Sequence, residues 1–527
     1  MGSGRERDPD RPVEPDEARA QGNDPDAVRM SGDGLEGARD ETTERRDEFA
    51  TELPSRYLPA VTYRDLPEAR SLRNYLGASV ILLATALGSG ELILWPYITT
   101  QVGLALVWLS VLGISVQFFL NMEIERYTLV TGETAVTGFS RMWVGWSVVF
   151  ALGAILPNTI PGWAASGSEM FTFIFGLGEG AIPIVATIFL FSIATAVTLS
   201  PVIYQLLEKV QAVLVTIILV FIALAIFIAT DLSAWGGVVT EIPQGIANFP
   251  TYWKEIGALS ILAAVSFAGA GGANNLCQSN YVRDKGMGMG IHIPNIVSPI
   301  TGEEVAAPSL GYVPPDTEDN RRRFRDWWKV ANQEHLITFW FCGALLLVAL
   351  CVLVFSSIGI QENIGTDLAF VEDWGAAMGE KIAPWFEEFF YVAGFVMLLS
   401  TNIGIMDYVG RITGDSLKVT FLRDSEFWSE SKLYVTVVWF MAIGGTILIW
   451  TGIEPIVLLV LSASGGFFVM AAYSTLLNFL NRRHLPEWAK LKGWRSPIIV
   501  FVALFYVFPS AIVVYLVATQ GLSALGL

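Results

Sequence analysis

The sequence predicts an all-α membrane protein of about eleven transmembrane helices: two inverted five-helix repeats plus one extra helix, with the first and sixth helices broken. Three observations predict it. Apolar runs of about 20 residues, the length a helix needs to cross a bilayer, recur from Arg73 to Ala518. Hydrophobic residues make up 53% of the chain and charged residues 16%, well under the ~25% charged of a soluble domain. Two glycine clusters with polar neighbours, Gly88-Ser89-Gly90-Glu91 and Gly269-Ala270-Gly271-Gly272-Ala273-Asn274-Asn275, interrupt runs that lie five spans apart.

Residues 1–65 are rich in Asp, Glu, Arg, Gly and Pro and lack the apolar stretch of a signal peptide. They read as a disordered acidic cytoplasmic tail, and residues 66–527 as the transmembrane domain. The spans fall at 73–100, 104–123, 143–175 (interrupted by Pro157 and Pro161), 181–199, 202–229, 256–282, 334–357, 385–417, 433–450, 453–480 and 497–518. Repeat one covers about 73–230, repeat two about 256–481, and the extra helix 497–518.

Lys and Arg concentrate in alternate connections: Arg126 and Arg141, then Arg283 to Lys329, then Arg423 and Lys432, then Arg482 to Arg495. Positive loops face the cytoplasm, which predicts an inside N-terminus and an outside C-terminus. The 283–329 connection, with Pro294, Pro299, Pro308, Pro314 and Pro315 and a cluster of Arg321, Arg322, Arg323 and Arg325, reads as a mostly irregular cytoplasmic loop.

Composition removes several function classes. A formal net charge of −17 opposes nucleic-acid binding. Cys277, Cys342 and Cys351 lack metal-site spacing, and His292, His335 and His484 lie in or beside the inside loops without clustering, which speaks against a zinc site. No phosphate-binding loop and no nucleophile–base motif is present, so neither an ATP-driven pump nor an enzyme is expected, and no cofactor.

The chemistry lies at the two interruptions. A carboxylate at the centre of a span costs roughly 2.5–3.5 kcal/mol on insertion scales and marks a functional site by default. Interrupted helices at matching places in two halves point to a transporter's midplane site, where freed carbonyls become ligands. The predicted substrate-binding set is Gly88, Ser89, Gly90 and Glu91 with Gly272, Asn274 and Asn275, and Asn402 reaching in from the eighth span. Glu91, Asn274 and Asn275 are the candidate metal ligands. Two competing readings are glycines that only pack helices closely, and Ser89 as an N-cap with Glu91 in the first turn of a new half-helix. Asp407, Arg411 and Asp415, at i,i+4 spacing, predict an ion network or gate in which Arg411 pairs with both acids. Glu123, Glu125 and Arg126 read as interfacial anchors, Glu169 as packing near the outer interface, and Ser462 and Ser464 as helix packing.

These residues resemble the natural resistance-associated macrophage protein (Nramp) divalent-metal transporters, which have a LeuT-type inverted-repeat fold. The family's first helix reads Gly-Pro-Gly, an apolar run, then Asp-Pro-Gly-Asn; here Gly77-Ala78-Ser79 precedes Gly88-Ser89-Gly90-Glu91 at the same spacing. Its sixth helix carries Met-Pro-His before Asn-Leu; here Gly272-Ala273-Asn274 precedes Asn275-Leu276. Thr131-Gly132-Glu133 and the helix order extend the likeness from about Arg73 to Ala518. The metal-binding Asp position is Gly88, the Asn position Glu91, the sulfur position Gly272 and the His position Asn274. The donor set that remains is oxygen-rich, which favours a harder cation. The third span, at Leu156-Pro157-Asn158-Thr159-Ile160-Pro161-Gly162-Trp163, lacks the family's acidic proton-path residues. The resemblance implies a secondary transporter that moves a cation, a divalent metal first, by alternating access. Its partners would be the transported cation, a coupling ion and the lipid bilayer. The alternative cargo is a small organic cation or amino-acid-like solute on the same fold. A non-transporting receptor or membrane enzyme is the remaining class.

Overall fold

The computed structural model of the chain describes residues 48–75, 78–200, 203–294, 296, 310–361 and 368–521. The tail through residue 47, Gly77, the Ser89 side chain and loop residues 297–309 lie outside the described residues.

The first span is α1 (Ala78–Ala86), a π-helical stretch Leu87–Leu94 and α2 (Trp95–Val102). The second is α3 (Val107–Thr131), followed by the short α4 (Ala135–Met142). The third is α5 (Gly145–Thr159) and α6 (Gly162–Phe175), parted at Ile160 and Pro161. Then come α7 (Ile182–Leu199) and α8 (Ile203–Ala229), and three short helices, α9 (Leu232–Thr240), α10 (Ile242–Ala247) and α11 (Phe249–Glu255). The sixth span is α12 (Ala258–Ser266) and α13 (Asn274–Asp284). The seventh is α14 (Glu318–His335), a π-helical Leu336–Phe341 and α15 (Cys342–Ser357). The chain continues with α16 (Ala369–Lys381), α17 (Pro384–Val419), α18 (Glu430–Ile449), α19 (Pro455–Arg483) and α20 (Arg495–Gln520).

Nine helical runs among the described residues are long and apolar enough to cross a membrane. One of them, Ser79–Thr131, contains two spans, and the α12–α13 pair is a further span too interrupted to qualify by length. That recovers the predicted eleven. At the centre stands α17, 36 residues long and so about 54 Å at 1.5 Å per residue. It packs against α18, α6, α5, α8, α1 and the Leu87–Leu94 stretch.

Two expectations change. The basic cluster is helical rather than a loop. Thr317 caps α14 by accepting from Asn320 N, Glu318 and Asp319 favour the positive end of the dipole, and Phe324, Trp327 and Ala331 bury one face. An amphipathic helix with Arg321, Arg322 and Arg325 on its wet side, and Arg323 half-buried against Leu66 O at 2.7 Å, carries no run apolar enough to be read as a span. The last part of the predicted tail, residues 48–65, also packs. Ala50, Leu53, Leu58 and Val61 are buried, and Arg141 Nη1 donates to the Pro54 and Pro59 carbonyls at 3.1 and 2.9 Å. Just beyond it, Leu66 N donates to Asn320 Oδ1 at 2.9 Å and Trp327 Nε1 to Pro67 O at 2.7 Å, so this strap crosses α14.

Candidate functional site

The sixth span is unwound from Phe267 to Ala273. Gly269, Gly271 and Gly272 have φ of 115°, 69° and 52°, a region L side chains avoid, so the cluster breaks the helix for a backbone reason. Unwinding frees amides and carbonyls that must be paired at this depth. Gln117 of α3 does much of it. Its Nε2 donates to Ser266 O at 2.8 Å, while its Oε1 accepts from Gly271 N at 3.2 Å and from Asn275 Nδ2 at 3.2 Å. From α19, Met470 Sδ accepts from Gly272 N at 3.2 Å and Tyr473 OH donates to Gly272 O at 2.9 Å. The Gly272 position, where the resemblance places a sulfur ligand, thus has a thioether beside it from another helix.

The first span takes a different form from the predicted gap. Helical bonding runs through Leu87–Leu94 in widened π turns, so no half-helix starts there and Glu91 lies inside a continuous run rather than in the first turn of a new helix. A π turn absorbs a residue without opening the backbone, and such turns recur at functional sites. The two glycines there serve close approach. A Cβ on Gly90 would sit 1.5 Å from Phe267 O, and one on Gly88 2.6 Å from Met397 O. Gly88 N donates to Thr401 Oγ1 at 3.0 Å. Gly90 therefore presses the first interruption directly onto the second.

Glu91 emerges at this junction. It is fully buried, neither carboxylate oxygen has a hydrogen-bond partner, and the backbone amide of Gly269 faces it. Asn274 and Asn275 are also fully buried, and neither Oδ1 accepts a hydrogen bond. Asn274 Nδ2 turns back to Ala270 O at 3.4 Å. Asn402 is not drawn in: its Nδ2 donates to Leu398 O on its own helix at 3.0 Å. The neighbouring Ser400 and Thr401 reach the first span instead, Ser400 Oγ donating to Ala84 O at 2.9 Å. Among the described residues no group of three or more His, Cys, Asp or Glu is placed to hold a metal ion. The oxygens on offer are one carboxylate, two amides and the carbonyls of the break.

The predicted ion network exists with different pairing. Arg411 binds Asp407 at 2.8 Å and also binds Asp284 of α13. Asp415 goes to Arg283, at 2.8 Å, and Arg283 also holds Glu430 at 3.0 Å and Asp284 at 3.2 Å. Arg411 does not take both acids, because α13 supplies a second guanidinium that spacing along α17 could not reveal. The network fastens the end of the sixth span to α17 and α18. Sequence reasoning missed Gln117, Met470, Tyr473 and Arg283. Gln117 alone left a signal, as a lone amide inside an apolar span.

No protein-family model matches the chain, and no curated protein does. Solved structures do. A manganese transporter from Eremococcus coleocola matches with a TM-score of 0.60 at 12% identity, covering 86% of this chain and 89% of its own. The same transporter with an aromatic bis-isothiourea compound gives 0.55 at 12%, covering 85% and 88%. MhsT in complex with L-phenylalanine gives 0.50 at 15%, covering 86% and 99%. At these identities the likeness is one of fold: the chain has the LeuT-type inverted-repeat architecture.

Proposed function

We propose that this chain is a secondary transporter working by alternating access, that its cargo is a cation with a divalent metal first, and that it is a divergent relative of the Nramp transporters. The observation that carries the reading is the Glu91 carboxylate, buried without a hydrogen-bond partner against the unwound Gly269 backbone. A buried unpaired carboxylate costs several kcal/mol, and an arriving cation offsets that cost. Asn274, Asn275 and the carbonyls of the break supply the other oxygens, a donor set suited to Mg²⁺, Ca²⁺ or Mn²⁺. The manganese cargo of a structural neighbour agrees with this choice. The Arg283–Asp415 and Arg411–Asp407 network acts as the gate. The Lys- and Arg-rich end of the helices faces the cytoplasm, with the N-terminus inside and the C-terminus outside.

The competing cargo is an organic solute whose ammonium meets Glu91. Among the described residues no three acidic, imidazole or thiol groups gather into a cage, which favours it, since one carboxylate suffices for an amine. Reconstitution in liposomes decides. Uptake of Mn²⁺, Mg²⁺ or Ca²⁺ that disappears in a folded Glu91→Gln variant supports the metal reading. No uptake of any of the three, with binding of an amine solute, overturns it.

A further inference from the structure

Two cavities meet at Phe479, near the basic end of α19. The first, of about 420 Å³, opens between the 48–65 strap, the turn from α4 to α5 and the end of α19. Arg56 and Tyr57 line it from the strap, Trp143 and Trp146 from the turn, and Phe479 and Arg483 from α19. Its size falls in the roughly 300–1,000 Å³ range of ligand pockets. The second, of about 390 Å³, is a groove between α19 and α20. Arg482 lies at its basic end, while Phe479, Val500, Ala503, Leu504 and Val507 make its walls apolar. From Val500 to Val507 the groove runs ~10 Å along α20, at 1.5 Å per residue.

The charges of the first cavity are uncommitted. Among the described residues Arg56 and Arg483 have no acidic partner. Each guanidinium lies over a ring, Arg56 5.2 Å from the Tyr57 centroid and Arg483 5.5 Å from that of Phe479. Arg482 Nη2 donates to the Ser496 carbonyl at 3.2 Å. The acids beside these elements are spent or distant. Glu133 belongs to Arg141, Glu487 to Lys490 and Lys492, and Glu52 accepts from Tyr63 OH at 2.9 Å; Glu48 is exposed at the start of the strap. No described acid lines either cavity. Burial, then Arg483 and Lys490, push the His484 imidazole at the pocket wall below its usual value, so that ring adds a hydrogen-bonding group rather than a charge.

We propose that the two cavities form one site for an anionic phospholipid, with the phosphate between Arg56 and Arg483 and an acyl chain along the α19–α20 groove. Guanidinium is the side-chain group best matched to a phosphate. Arg482 and Arg483 are sequence neighbours, so a phosphate beside them has the cavity on one side and the groove on the other. Trp143 and Trp146 set the depth, since Trp gathers where headgroup meets chain. A soluble anion or an acidic peptide would satisfy the arginines and leave the groove unfilled. A zwitterionic lipid would fill the groove and leave the two positive charges in excess. A negative head on an apolar chain uses both. The lipid would also fasten the strap to α19, next to the hold that Arg141 already has on the Pro54 and Pro59 carbonyls.

Native mass spectrometry of the full chain, released from micelles holding equal phosphatidylglycerol and phosphatidylcholine, tests this. Wild type is expected to retain phosphatidylglycerol in preference. Arg56→Gln and Arg483→Gln should each weaken its binding about fivefold, and the pair ~30-fold, the effect of one near-surface basic charge per change. Lys492→Gln, outside both cavities, should bind as wild type does. Ala503→Trp, which fills the groove without altering a charge, should also release the lipid. Equal retention of the two lipids by wild type overturns the proposal, as does a loss in Lys492→Gln as large as that in Arg483→Gln. Loss in the arginine variants alone, with Ala503→Trp binding normally, assigns the arginines to a soluble anion or to the acidic tail and overturns the lipid. If Ala503→Trp does not fold, dihexanoyl phosphatidylglycerol replaces it: binding as tight as that of the long-chain lipid overturns the groove's part. No transport is measured, so either result leaves the transport reading standing.

Discussion

The side-chain amide of Gln117 replaces a missing turn of helix for Gly271: its Oε1 accepts the Gly271 N–H at 3.2 Å, while its Nε2 answers Ser266 O. One residue of α3 thus holds open a break in another helix, and its removal strands three polar groups at once. Gln117→Leu is expected to lower stability by about 2–4 kcal/mol, from a cost of ~1–3 kcal/mol per unsatisfied buried group with partial relaxation. Thermal melts of the detergent-purified protein check this. A melting temperature equal to wild type means the break does not depend on Gln117.

Glu91 predicts a ligand-dependent difference. Saturating cargo at about 100 times its Kd stabilises the folded state by ~2.7 kcal/mol. Wild type should therefore melt higher in the transported divalent cation, and Glu91→Gln should not respond, while melting at or above the wild-type temperature without ligand. A metal-induced shift of equal size in both proteins removes Glu91 from the binding site.

Gly90→Ala should be among the least tolerated small substitutions. The added carbon would lie 1.5 Å from Phe267 O, a backbone atom, and overpacking of this kind costs about 1–3 kcal/mol or more. Gly236 in α9 is the internal control, with nothing within 4 Å of its would-be Cβ. There the same change should be neutral or slightly stabilising. Comparable yields of folded protein for the two variants would contradict the close contact.

The pairing within the ion network makes a fourth test. Removing Arg283 leaves buried acids uncompensated, at about 3–5 kcal/mol. In a double-mutant cycle, Arg283→Met with Asp415→Leu should couple strongly, by more than about 1 kcal/mol. Arg411→Met with Asp415→Leu should couple less. The reverse order would restore the helical i,i+4 pairing that the sequence alone suggests.

The spans were legible because each must be some 20 apolar residues long whatever its neighbours do. The sixth-span break was legible for a similar reason: several glycines in seven residues leave the backbone few other uses. The first interruption was only half legible, since Gly88 and Gly90 look the same in sequence whether they open a helix or press it against a carbonyl, and Phe267 is far away along the chain. Asp415 was assigned its partner by spacing along α17, whereas Arg283, which holds it, follows from tertiary packing. Asn402 was expected to reach the site, and its Nδ2 donates to the Leu398 carbonyl of its own helix, a matter of rotamer that sequence does not carry. The α14 helix and the 48–65 strap escaped because a charged amphipathic stretch and a polar tail differ from loop only in what they lie against.

The π-helical stretch around Glu91 gives the first span a kind of rotary slack. A helix that stores a surplus residue can hand it along, one position at a time, by exchanging a single backbone hydrogen bond at each step while the rest of the ladder stays paired. Each such step would swing the side chains that the wide turn passes by about 100° around the axis, the angle that 3.6 residues per turn implies. Glu91 could then be turned from one neighbour to another by a travelling ripple, with the rod on either side remaining whole.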